Sequence, residues 1–286
     1  MNGHAAAAPL PPLDVRPLFR PLLDDLLALL GALAPEEWAR PASRSWSVRE
    51  VAAHLLDGDC RQLSFGRDGL PLLPPERPIA GPDDFLAFLD GLNGSWVEAT
   101  RRLSPALLVE LLALTGRRVA DYFEASSLDS QALFAVAWAG QSSSPNWLHL
   151  ARELTERWHH QQQIRRATGR SPLADPRFAG PVLETFLYSL PPAYAETPAP
   201  PGTAVEIRFE APVAQSYALV RTESGWRLAA PATKSAARIA FEPIAAWEAL
   251  SRSVPVATSR ERAALSGPEA LTEPFFRACA IHKRPL

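Results

Sequence analysis

The chain has 286 residues, 47% of them hydrophobic, so it can bury a sizeable core and its length is more typical of two domains than of one. Formal net charge is -2 and the pI is about 6.3. A nucleic-acid or membrane-surface partner needs a concentrated basic field, which this balance excludes. Cys60 and Cys279 lie far apart and form no finger-like or redox spacing, which argues against a disulfide framework and for a reducing cytoplasm. Residues 1–13 are Ala/Pro-rich without a basic or sustained apolar region, and read as a floppy leader rather than a signal peptide. No apolar run is long enough to span a bilayer.

In chain order, residues 15–33 place Leu18, Leu22, Leu26, Leu29, Leu30 and Leu33 at three-and-four spacing, the stripe of a core-facing helix that Ala34-Pro35 stops. Ser47-Val48-Arg49-Glu50 is a capping box and opens a second helix carrying Val51, Ala52, His54 and Leu55. A Pro-rich connection over 70–82 leads to a third helical stretch, 83–102, and the pattern leaves open whether it continues after Pro105 toward Phe123. Residues 127–143 carry no clear pattern. Ser144-Pro145 is an N-cap candidate with proline at the first helical position. A long helix, Asn146–Ala167, follows and is closed by Gly169.

After about residue 175 the character changes. A helix over 178–190 runs into a Pro-rich linker, 197–202, and short alternating segments then predict strands at 204–209, 216–221, 226–228 and 237–241. Helices are expected at 244–251 and 268–278. The fold class is therefore α+β: a four-helix bundle over 14–172, then a small α+β domain over 173–286.

One stripe of the long helix carries His149, Glu153, Glu156 and His160, while Leu150, Leu154 and Trp158 line the opposite one. Glu156 and His160 are four apart and leave the same face one turn apart. With His54 from another helix they form a candidate His-Glu-His metal set with one position open, best suited to Zn2+ and less well to Ni2+ or Fe2+. Taken singly, each residue has a plainer explanation. A lone histidine among alanines and leucines is usually a core residue, and Glu156 with His160 and the Gln161-Gln162-Gln163 run fits a solvated helix face. Together they weigh more, because a carboxylate and two imidazoles on bundle helices are costly to bury unpaired and a metal satisfies all three.

His159 points about 100° away from His160 and is read as a supporting or surface residue. Glu153 is a lesser alternative to Glu156. His149 is expected to line the pocket mouth and Gln163 to reach its rim, which makes these two the candidate cofactor-binding residues. Neither cysteine is a good nucleophile candidate, and a small buried hydrophobe is the plainer reading of both. No Ser-His-Asp arrangement, phosphate-cradling glycine loop or dinucleotide fingerprint is present.

Trp46-Ser47-Val48-Arg49-Glu50-Val51-Ala52-Ala53-His54-Leu55 resembles the W-[ST]-V-x-[DE]-[LV]-x-x-H-L signature of the DinB-like superfamily. The segment 155–169 resembles that superfamily's last-helix motif, E-x-x-x-H-x-x-D-[IL]-x-x-x-x-G. Both resemble in particular the mycothiol-dependent maleylpyruvate isomerase family, and the C-terminal region is similar to its sterol-carrier-protein-like partner domain. The resemblance implies that His54, Glu156 and His160 bind zinc in a four-helix bundle, with the open position taking water or the sulfur of mycothiol or bacillithiol. In such an isomerase, thiolate addition to a maleyl double bond permits rotation, and expulsion leaves the trans isomer. It also implies a catalytic arginine in the C-terminal domain, matched here by Arg277. Gln163 departs from the pattern by standing where the family commonly has Asp.

The expectation is thus a cytoplasmic, zinc-dependent isomerase or thiol S-transferase acting on small electrophiles, monomeric or homodimeric, with no nucleic-acid or membrane partner. Two alternatives stay open: a non-catalytic apolar-ligand-binding protein with a vestigial metal site, and a zinc-hydroxide hydrolase.

Overall fold

The computed structural model describes residues 8–281, apart from 73, 76 and 233. The chain divides into two compact units, one of residues 14–133 and 145–173, the other of 8–13, 134–144 and 174–281. Together they are α+β.

The first unit is helical. A 3-10 turn, Arg16–Leu18, leads into α1, Phe19–Gly31, whose apolar stripe buries Leu22, Leu26, Leu29 and Leu30. Helix α2, Val48–Arg61, starts on the expected capping box. The Ser47 backbone N–H donates to Glu50 Oε2 at 2.9 Å, and the Glu50 N–H donates back to Ser47 Oγ at 3.4 Å. Its end loosens into a π-helical turn over 62–67.

The third stretch is two helices, α3 (Pro82–Thr100) and α4 (Pro105–Ala125). Ser104 caps α4 by accepting the Leu107 N–H at 3.2 Å, with Pro105 at the first helical position. Helix α5, Asn146–Ala167, has Pro145 itself at the N-cap, which corrects the expectation for Ser144. The Ser144 hydroxyl instead accepts the Val136 N–H at 2.9 Å. Helices α1, α2, α4 and α5 pack around a shared apolar core that includes Leu26, Val51, Leu55, Leu108, Leu112 and Ile164, and α3 lies against α2.

The second unit contains α6 (Pro176–Leu187), the single turn α7 (Leu190–Ala193) and a five-stranded sheet. The strands are β1 (Ala204–Phe209), β2 (Gln215–Thr222), β3 (Gly225–Ala229), β4 (Ala237–Phe241) and β5 (Ala264–Ser266), in the order β3-β2-β1-β4-β5. Only the β1–β4 pairing is parallel. Val205, Ile207 and Phe209 turn one face of β1 into the core, while Glu206 and Arg208 alternate outward.

Helices α8 (Pro243–Leu250), α9 (Val256–Glu261) and α10 (Glu269–Thr272) complete this unit. The expected helix over 268–278 is α10 followed by a 3-10 turn, Glu273–Arg277, with Pro274 at its start. Neither α9 nor β5 was signalled by periodicity, since both are too short to show one. Of the expected leader, residues 1–7 lie outside the described residues. Residues 8 and 9 pair with the free side of β3: Ala230 N–H donates to the Ala8 carbonyl at 2.9 Å, and Pro9 bridges Ala229. Among the described residues, no helix is long and apolar enough to cross a membrane.

Candidate metal centre

His54 lies in the middle of α2, seven residues past the Ser47 cap, and Glu156 and His160 lie one turn apart on α5. The helices pack so that one donor atom from each of the three residues lies within 4.8 Å of the others. His54 and His160 meet edge to face with ring centroids 4.9 Å apart, and the Trp46 ring packs against His54 with centroids 4.7 Å apart. His160 Nε2 is 3.5 Å from Glu156 Oε2.

The protonation pattern suits a cation. Burial, with His160 nearby, pushes the His54 imidazolium down to about 3, so the ring is neutral near physiological pH. Among the described residues, its Nδ1 is buried without a hydrogen-bond partner. Burial pushes the Glu156 carboxyl up, but its contact with His160 and the charge of Arg152 outweigh that and hold it well below the usual carboxylate range. His160 Nδ1 sits 2.8 Å from Gln163 Oε1. On its other side the His160 ring turns Nε2 toward the Glu156 carboxylate, so the two residues present a nitrogen and an oxygen donor next to each other. With His54 this N,O,N donor set fits a divalent ion with a coordination position to spare.

Around the three residues, the structure places the other candidates differently. Glu153 is engaged elsewhere: it pairs with Arg152 and with Arg157 Nη1 at 2.6 Å. Arg157 in turn reaches Asp59 of α2 at 2.7 Å, and the Thr115 hydroxyl of α4 donates to Asp59 at 2.9 Å. Rings of Phe19 and Phe123 flank the Arg157 guanidinium at 5.5 and 5.8 Å. This cluster ties α1, α2, α4 and α5 together and sets the rotation of α5. Sequence reading missed it, although the i,i+4 pair Glu153–Arg157 was a visible signal.

His149 is buried, with Nε2 3.3 Å from Gln62 Oε1. It lines a cavity of about 270 Å³ together with Tyr122, Ser126, Gln131 and Asn146, and the three donor residues are not among those lining it. The solvated-face reading of the glutamine run is corrected, because all three side chains are buried. Gln161 donates to the Leu22 carbonyl at 2.8 Å, and Gln162 both donates to and accepts from the Leu173 backbone. Gln163 bridges His160 to His159, whose Nε2 lies 2.9 Å from Gln163 Nε2. His159 is buried too. Arg277 is exposed on the 3-10 turn of the second unit and donates to the Thr197 hydroxyl at 3.2 Å. Cys60 is no nucleophile: burial, then Asp59 and Asp57, push its thiol up to about 11.

The sequence profile of the mycothiol maleylpyruvate isomerase N-terminal domain matches residues 19–165, more than half of the chain and the span that contains all three donors. The chain belongs to this family. Membership supports an isomerase-type enzyme with a small-molecule thiol as cofactor. No curated protein matches the sequence. Two solved structures of the mycothiol-dependent maleylpyruvate isomerase are similar. One, a histidine-to-alanine mutant, is 14% identical with a TM-score of 0.51 and covers 90% of this chain and 93% of its own. The other is 15% identical with a TM-score of 0.49, covering 85% and 90%. At these identities the first likeness bears on the fold alone.

Proposed function

We propose that this member of the maleylpyruvate isomerase family is a zinc-dependent enzyme using mycothiol or bacillithiol to act on a small electrophile, as an isomerase or a thiol S-transferase. The observation that carries the reading is the convergence of His54, Glu156 and His160 from two helices onto one point. A divalent ion held there supplies the positive charge that makes a thiol acidic near neutral pH. The residues themselves do three things. His54 and His160 offer ring nitrogens, Glu156 offsets one unit of metal charge, and Trp46 covers one side of the His54 ring. We read the helical unit as the metal-binding module and the second unit as its partner domain.

His149 is proposed to contact the polar body of the thiol, since the cavity it lines offers hydroxyl and amide groups and no charged side chain. Arg277 is proposed to hold a substrate carboxylate. Native mass spectrometry of the purified protein, with assay of maleylpyruvate isomerisation with and without added thiol, tests the reading. One zinc per chain and strictly thiol-dependent turnover are expected. Zinc-dependent hydrolysis without thiol would instead favour a hydroxide mechanism, and a metal-free protein would favour a binding role.

A further inference from the structure

A buried amide oxygen needs a donor, from the protein or from an ordered water. Gln161 of α5 is fully buried, with 0% of its surface exposed. Its Nε2 donates to the Leu22 carbonyl of α1 at 2.8 Å. A carbonyl oxygen only accepts, so this bond fixes which end of the amide is nitrogen. The other end, Oε1, is buried without a hydrogen-bond partner among the described residues.

Gln161 lines a small cavity of about 20 Å³ within the helical unit, together with Leu22 and Leu26 of α1, Asp59 of α2, Leu112 of α4 and Arg157 of α5. Roughly 10–15 Å³ of such space holds one water molecule. The charges in the wall disfavour an ion. Arg157 Nη2 already meets Asp59 Oδ1 at 2.7 Å, so the guanidinium repels a further cation and the carboxylate repels an anion. A neutral donor is what Gln161 Oε1 lacks, and a water brings two O–H groups. We propose that this cavity is a binding site for a single water molecule, which donates to Gln161 Oε1 and to the Asp59 carboxylate and so joins α5 to α2. Gly116 of α4 leaves the room for it. A Cβ at that position would stand 3.4 Å from Asp59 Oδ2 and 2.7 Å from Leu23 Cδ1, crowding the wall of the cavity.

Magnetisation transfer from the water signal to the methyl groups of the full chain tests the site. Cross-peaks with the sign of a long-lived bound water are expected at the methyls of Leu22, Leu26 and Leu112. Saturating the sample with xenon, which enters dry apolar voids, is expected to leave those methyl shifts where they are. Missing cross-peaks, or xenon-induced shifts at the same methyls, would show a dry cavity and overturn the proposal. Gly116→Ala, with its fold checked by the remaining methyl signals, is expected to lose the cross-peaks. Their persistence in that variant would trace them to the Thr115 hydroxyl, which lies 2.9 Å from Asp59 and exchanges with solvent, and would refute the site equally.

Discussion

At the scale of single residues, the three donors divide the work unequally. In the proposed site Glu156 would supply a carboxylate oxygen and His54 and His160 ring nitrogens. His54→Ala, Glu156→Ala or His160→Ala is therefore expected to abolish stoichiometric zinc by elemental analysis, whereas His159→Ala keeps one zinc per chain at saturating metal. Equal loss in all four would show that a ligand has been wrongly chosen. Two histidines also give the metal-free protein a pH signature. Burial lowers His54 to about 3, and burial with Arg152 lowers His149 to about 4, both from an ordinary value near 6.5. A depressed histidine pKa stabilises the fold fully above 6.5 and progressively less as pH falls toward the folded value. Each histidine thus removes about 1.4 kcal/mol per pH unit below 6.5. Urea unfolding with chelator present, at pH 7.5 and pH 5, is expected to show a lower midpoint in acid and a shallower dependence for His149→Gln. A midpoint unmoved between the two would contradict the assignment.

At the scale of elements, the rotation of α5 decides whether Glu156 and His160 face α2 at all. The buried Arg157 cluster fixes that rotation, and removing Arg157 leaves Asp59 a buried carboxylate without its counter-charge and Glu153 with Arg152 alone. Arg157→Met is expected to cost about 3–5 kcal/mol by chemical denaturation, far above an exposed ion pair. The elements also show what was legible beforehand. The Ser47–Glu50 capping box and the i,i+4 spacing of Glu156 and His160 are local patterns, so the start of α2 and the donor face of α5 could be read directly. The glutamines could not. Their partners lie up to 139 residues away, as for Gln161 and the Leu22 carbonyl, and nothing local distinguishes such a side chain from a solvated one. Ser104-Pro105 and Ser144-Pro145 look alike in sequence, yet only the first pair starts a helix as Ser-Pro usually does. Ser144 is drawn off by a tertiary bond to Val136.

At the scale of the whole molecule, a bound ion should act as a staple within the helical unit. A metal that binds the folded site and not the unfolded chain adds about 2.7 kcal/mol at a hundred times its Kd. Hydrogen exchange is expected to slow in α2 and α5 when zinc is added, and to stay unchanged in His160→Ala. Equal slowing in that variant would place the ion elsewhere.

The pairing of Ala8 and Pro9 with the outer side of β3 has a practical corollary. A strand flank left uncovered invites the same flank of another molecule, and proline makes a poor template for further growth because it offers no N–H. Trimming the first nine residues strips away that shield. Light scattering of the shortened protein should then report concentration-dependent clumping that the intact chain lacks, and a purification handle is better fused at the far end.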